Sequence, residues 1–218
     1  KKTFYLPRGV DNQKFTSQAP NSIIREAMQS STEKRVIICV ANMVPVKGIE
    51  LLIKAYQALH EFHNDWELWL VGDIKNDYGQ SLVQLVEANS MQNHVKFSGK
   101  VNNVNEYLDQ AEIFVLPTKD EGRREGSPVS LLEAMANGKV VIGSSVPGIK
   151  DQLKTFPNHI FKAGSSKHLK ESILPFMQQS VQKNEELGKQ FQQLAESEFR
   201  IDQEVKRHEE LYKKILKL

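Results

Sequence analysis

The sequence predicts an α/β fold of the doubly wound, Rossmann-like kind: a parallel sheet of about six strands with helices on both faces and further helices at the C-terminal end. Three observations carry this expectation. Short runs rich in Val and Ile recur as far as about Ser165, continuous enough to be buried on both faces as parallel strands are. Amphipathic stretches of helical period separate them, which is the alternation that right-handed crossovers produce. Beyond Ser165 the strand-like runs stop and everything reads as helix.

In chain order, "KKTFYLPRGVDNQKF" reads as a short strand and a turn, begins without methionine, and suggests a piece of a longer protein. Residues 1–20 are therefore expected to be an interdomain linker or the end of a preceding domain, 21–200 the Rossmann-like domain, and 201–218 a closing helix. The strand candidates are Arg35–Ala41, Glu67–Gly72, Val95–Gly99, Ile113–Pro117, Val140–Ser144 and His159–Ala163. The first helical stretch, Gly48–Phe62, places Leu51, Leu52, Ala55, Tyr56 and Leu59 on one face of a 3.6 repeat. Next come Tyr78–Ser90, Asn103–Ala111 and a helix beginning near Ser127, and then Ser165–Ser180, Val181–Glu198 and Ile201–Leu218.

The composition excludes several classes. The chain of 218 residues is 39% hydrophobic and 26% charged with a net charge of +2, which gives no reason to invoke nucleic acid. Its one cysteine, Cys39, lies in an apolar strand and reads as core, so neither a disulfide framework nor a cysteine-based zinc site is available. His94, His159 and His168 have no partners at ligand spacing and read as structural, and no metal is expected. There is no signal peptide and no apolar run near eighteen residues, so the expected location is the cytoplasm. The basic tail "VKRHEELYKKILKL" reads as a solvated amphipathic helix rather than a membrane anchor. Its apolar stripe of Val205, Leu211, Ile215 and Leu218 either packs on its own domain or meets a partner surface.

In a doubly wound sheet, ligands lie beyond the C-terminal ends of the strands. Two stretches fall there. "ANMVPVKG" comes after the first strand and ends in Lys47 and Gly48 ahead of a helix; it is neither G-x-G-x-x-G nor a Walker P-loop. "REGSPVSLLEAMANG", Arg124–Gly138, has Ser127 placed to cap a helix, Pro128 placed at its first position and Gly138 just past its end. The amides near Ser127, Val129 and Ser130 point out of that helix, a setting that attracts phosphate. Glu125 lies in the incoming loop and Glu133 about a turn and a half inside the helix, one carboxylate on each flank of such an anion.

The order "VANMVPVKGIELLIKAY", "ELWLVGD", "VKFSGKV", "YLDQAEIFVLPT" and "REGSPVSLLEAMANGKVVIGSSVPGIKD" resembles the C-terminal, donor-binding domain of the family 4 glycosyltransferases, retaining enzymes of the GT-B fold. The resemblance runs from about Pro7 to Gly164, with the paired glutamates and "EAMANG" as its specific part. "LPRGVDNQKF" resembles that family's interdomain linker, and the final helix resembles the one that crosses back to the N-terminal domain. The resemblance implies that Glu133 holds the ribose hydroxyls of a nucleotide, and that Glu125 contacts the transferred sugar and stabilises the reacting centre. Amides near Gly126, Ser127, Val129 and Ser130 would hold the diphosphate, joined by Lys47. Asn42 stands where the family often has arginine. Gly99 and Val101 would approach the base through backbone. Against these roles stand plainer ones: a surface glutamate for Glu133, a salt bridge from Glu125 to Arg123 or Arg124, a solvated Lys47, and a turn residue at Asn42.

The implied ligand is a nucleoside-diphosphate sugar, with uridine favoured over guanosine, and no metal or other cofactor. The implied acceptor is a saccharide or lipid-linked acceptor carried on an N-terminal domain, as in polysaccharide or lipopolysaccharide assembly, with peripheral membrane contact left open for the full-length protein. A non-catalytic nucleotide-binding module is the alternative; a nucleotide-sugar epimerase is a weaker one, because it needs acid–base carboxylates and histidines that cannot be placed near Glu125.

Overall fold

The computed structural model describes residues 6–15, 18, 21–121 and 125–216. The elements run α1 (Ser22–Ala27), β1 (Arg35–Val40), α2 (Ile49–His60), β2 (Trp66–Val71), α3 (Asp77–Ala88), β3 (Val95–Gly99), α4 (Val104–Leu108), β4 (Ile113–Leu116), α5 (Val129–Ala136), β5 (Val140–Ser144), α6 (Pro147–Gln152), β6 (Ile160–Phe161), α7 (Ser166–Met177), α8 (Val181–Glu198) and α9 (Ile201–Leu216). The six strands form one sheet in the order β3-β2-β1-β4-β5-β6 with every pairing parallel. That is the order of a Rossmann fold, in which the direction of winding reverses between β1 and β4.

The strands alternate between two cores. Val36, Ile38 and Val40 of β1, with Phe114 and Leu116 of β4, face Leu131, Leu132 and Met135 of α5 and Phe191 of α8. Ile37 and Cys39 turn to the other side, where Leu52, Ile53 and Tyr56 of α2 and Leu169 and Ile173 of α7 cover them. Cys39 is a free thiol with no exposed surface, and burial pushes it up to about 12, so it is inert core. His159 is also core: its Nδ1 lies 3.0 Å from the Val141 carbonyl and its ring stacks on Phe176. His94 packs against His60 with the rings tilted by 38° and 3.8 Å between centroids.

Most expected elements are present with ends displaced by a residue or two. The last strand is shorter than expected, because His159 is taken into a 3-10 turn, Pro157–His159, leaving two residues to pair with β5. Two helices, α1 and α6, lie outside the sequence expectation; six residues are too few for a 3.6 repeat to register. Residues 1–5, the start of the stretch expected to form a short strand and a turn, lie outside the described residues. Further along the same stretch, Val10 makes an isolated parallel bridge with Arg200 at the α8–α9 junction. In α9, Val205 and Ile215 are 53% and 56% exposed, so these two residues of the tail stripe do not pack on their own domain. Leu211 is half-buried, and Leu218 lies outside the described residues.

Candidate functional site

A cleft of about 620 Å3 opens where the winding reverses, at the C-terminal edge of the sheet. Val40, Ala41 and Asn42 form its wall after β1, Gly72 and Asp73 after β2, and Lys100, Val101 and Val104 after β3. Glu125, Ser127, Pro128, Val129 and Ser130 close it from the β4–α5 side, and Lys47 reaches in from the turn before α2. The fold thus brings Asn42, Lys47, Val101, Glu125, Ser127, Val129 and Ser130 together. Gly99, Gly126 and Glu133 are not among the lining residues. Gly99 is one residue behind the wall, with its carbonyl accepting from the Gly72 N–H at 3.1 Å.

Lys47 is set by a close crossing. The 3-10 turn Pro45–Lys47 ends at Gly48 in the left-handed region, φ 64°. A Cβ there would lie 2.4 Å from the Pro117 carbonyl oxygen, so only glycine lets the turn pass under the end of β4. The Lys119 N–H then donates to the Val46 carbonyl at 2.8 Å, tying the two loops together. As a result Lys47 Nζ donates to Glu125 Oε2 in a short ion pair, with the side chains only 19% and 16% exposed. The Thr118 hydroxyl lies 3.4 Å from the same oxygen. Arg123 and Arg124, the partners expected for Glu125, lie outside the described residues.

The start of α5 corrects the expected cap. The N-cap is Pro128, at φ −67° and ψ 120°, and no side chain caps the helix. Ser127 cannot serve, because its Oγ accepts from Gln152 Nε2 at 2.9 Å and from the Arg8 N–H at 3.2 Å. A helix start leaves its first amides without intrahelical partners, and those of Val129 and Ser130 lie at the cleft wall. An uncapped N-terminus with a lysine before it favours an anion more strongly than the capped end read from sequence would. Glu133, three and four residues on, shares the helical face of Ser130 and Val129. Burial raises its carboxyl above the usual carboxylate range, and Lys14 opposes that shift.

Two lining groups, Lys100 and Asp73, and one residue behind the lining, Thr118, carry polar atoms the sequence reading did not assign to the site. Lys100 sits between the quoted Gly99 and Val101 and is exposed on the cleft wall. Thr118, 1% exposed, touches Glu125 from behind. Asp73 lines the cleft while its Oδ1 accepts from the Lys75 N–H at 2.9 Å. Among the described residues no group of three or more His, Cys, Asp or Glu is arranged to hold a metal ion. A second cavity, about 540 Å3, lies at the opposite edge beneath the N-terminal ends of the strands and is lined by Arg35, Lys139 and Asn184 among others. That is the wrong edge for a ligand of a doubly wound sheet.

The model of the family described as glycosyl transferases group 1 matches residues 21–194. The chain belongs to that family. A glycosyltransferase of Haemophilus influenzae, itself uncharacterized, is 27% identical over 150 residues, 68% of this chain and 41% of its own. The GDP-mannose-dependent monoacylated α-(1-6)-phosphatidylinositol monomannoside mannosyltransferase of Corynebacterium glutamicum is 28% identical over 190 residues, 82% of this chain and 48% of its own. Among solved structures, Anabaena HepE in complex with UDP and glucose superposes with a TM-score of 0.81 at 21% identity, covering 95% of this chain and 55% of that one. The fold is that of the C-terminal half of a GT-B glycosyltransferase. The chain spans less than half the length of either relative it matches by sequence.

Proposed function

We propose that this chain is the donor half of a retaining, family 4 glycosyltransferase that binds a nucleoside-diphosphate sugar. The partner domain would bring a saccharide or lipid-linked acceptor. One observation carries the reading: the uncapped N-terminus of α5 and the Lys47 ammonium converge on one cleft at the winding reversal. Glycosyl transfer breaks the bond between the anomeric carbon and the diphosphate, so negative charge grows on the phosphate oxygens as that bond lengthens. Donors fixed in a half-dry cleft stabilise this charge more in the transition state than in the ground state. Lys47 would exchange its Glu125 partner for a phosphate, which frees the Glu125 carboxylate to face the electron-poor sugar. Glu133, behind the diphosphate on the same helical face, would take the ribose hydroxyls. Acceptor attack from the face that the leaving group vacates would preserve the anomeric configuration.

The UDP bound to Anabaena HepE favours a uridine carrier, while the GDP-mannose dependence of the Corynebacterium relative keeps guanosine in play. No helix among the described residues is long and apolar enough to cross a membrane. The test is calorimetric titration with UDP, GDP and the matching nucleosides. A diphosphate should bind much more tightly than its nucleoside, and Lys47→Ala should remove about 1–2 kcal/mol of that difference, the scale of a charge-assisted contact. Equal affinity for nucleoside and diphosphate would overturn the assignment.

A further inference from the structure

The serine that fails to cap α5 has another use. A hydroxyl has one proton to donate and two lone pairs to accept with. Ser127 Oγ accepts at 3.2 Å from the Arg8 N–H and at 2.9 Å from Gln152 Nε2. The orientation of the Gln152 amide is not arbitrary, since the same Nε2 also donates to the Pro128 carbonyl at 3.3 Å, and a carbonyl can only accept. Gln152 must therefore present its NH2 to this corner, and Ser127 must be the acceptor. With both lone pairs engaged by donors, the Ser127 proton has only the remaining direction, and Ser127 lines the cleft.

We propose that Gln152 is a positioning residue that, acting through Ser127, holds a hydroxyl donor toward the diphosphate end of the cleft. Gln152 has no exposed surface and never meets the ligand itself. Its other amide atom, Oε1, is buried without a partner, so the side chain is placed for what its NH2 donates. The backbone holds it there. A Cβ on Gly148, one turn earlier in α6, would lie 2.3 Å from the Gly126 carbonyl oxygen, so α6 is pressed directly against the loop that carries Glu125 and Ser127. The second donor is anchored as well: the Gly9 N–H next to Arg8 donates to the buried Glu204 carboxylate at 2.6 Å. Ser127 thus sits in a socket made by α6 on one side and the 8–9 segment on the other, and neither of its donors can accept the proton back.

The inference rests on the diphosphate reading of the cleft, and the experiment separates the two. The quantity read is the ratio of nucleoside to nucleoside-diphosphate dissociation constants, measured with uridine and UDP and with guanosine and GDP. Ser127→Ala and Gln152→Leu should each lower that ratio about fivefold or more, the worth of one hydrogen bond to a charged oxygen, while nucleoside affinity stays unchanged. Gln152→Glu should lower it at least as far, because a carboxylate accepts the Ser127 proton and turns it away from the cleft. Adding Gln152→Leu to Ser127→Ala should lower it no further, which a merely structural glutamine would not obey. Gln152→Met serves in the same comparison if the leucine variant does not fold. A ratio that survives Gln152→Leu intact, or that falls equally with and without the Ser127 hydroxyl, overturns the positioning role alone. A wild-type ratio of one overturns the diphosphate reading, and this role with it.

Discussion

Glu125 and Glu133 are eight positions apart in sequence but occupy different electrostatic settings. Glu125 is held by the Lys47 ammonium at the mouth of the cleft, whereas Glu133 lies on the flank of α5 where burial raises its carboxyl. Their substitutions should separate accordingly. Glu133→Gln should weaken a nucleoside and its diphosphate alike by about 1–3 kcal/mol, the cost of losing hydrogen bonds to a charged acceptor. Glu125→Gln should leave the bare diphosphate as tight as before or slightly tighter, since Lys47 is released, and should impair only nucleotide-sugar recognition or turnover. Titrations of both variants with UDP and a UDP-sugar check this; the same loss of UDP affinity in both would contradict separate roles. Glu125, which lines the cleft, and Glu133, which does not, are both visible in the sequence because they fall in a single stretch of chain. The partner of Glu125 is not, because 78 positions separate it from Lys47 and only the crossing at Gly48 brings them together. Ser127 misleads for a similar reason: a serine before a proline caps a helix by local rules, but here its oxygen is claimed by Arg8 and Gln152 from elsewhere in the fold.

Among the elements, those with a long period or a continuous apolar run are legible, and those defined by a few residues are not. α2, with Leu52, Ala55, Tyr56 and Leu59 buried along one face, is where the repeat puts it. The end of α5 is also readable. Gly138 at φ 71° lets its N–H donate to the Met135 carbonyl at 2.9 Å and the Lys139 N–H to the Ala134 carbonyl at 3.0 Å, a Schellman stop that glycine announces. What the stop does to the next residue is not readable. It turns Lys139 into the space beneath α8, where 8% of it stays exposed, and burial lowers its amine to about 8 in spite of Asp109, Glu112 and Glu185. Below pH 8 the folded and unfolded chains both hold this proton and the fold bears the whole cost of burying the charge. Between about 8 and the ordinary 10.5 the folded chain has released it and the unfolded chain has not, so this group makes stability rise with pH through that window. Lys139→Met keeps the stem and removes the charge. It should raise stability at pH 7 by about 1–2 kcal/mol and flatten the rise on the alkaline side. Urea midpoints at pH 7 and about 9.5 measure both; a lower midpoint for the variant at pH 7 would contradict this account of Lys139.

For the whole molecule, the sheet order and the site belong together. Parallel strands running outward from β1 and β4 leave a crevice at their C-terminal ends, and the residues that line it come from four separate loops. The strand runs make that edge predictable, while the depth of the cleft, the membership of Lys100 and the contact of Thr118 with Glu125 depend on packing between distant segments. Ile201, Val205, Tyr212, Ile215 and Leu216 leave an apolar stripe along α9 exposed, as a helix that meets another domain would. Holding two substrates together can contribute roughly 7–11 kcal/mol toward a barrier, and in the proposed reading as a donor half the chain alone offers no acceptor wall to do so. We therefore expect no sugar transfer by this chain incubated with donor and a crude acceptor pool; robust turnover would show that the chain works without a second domain. The central claim, that a diphosphate sits at the start of α5, is tested most directly by the nitrogen-15 amide spectrum of the chain titrated with UDP and with GDP. The account predicts shifts concentrated at Val129, Ser130, Lys47 and Val101, with the signals of Lys139 and Asn184 at the opposite edge unmoved. Shifts centred on Lys139 and Asn184, with the α5 amides unmoved, would contradict it.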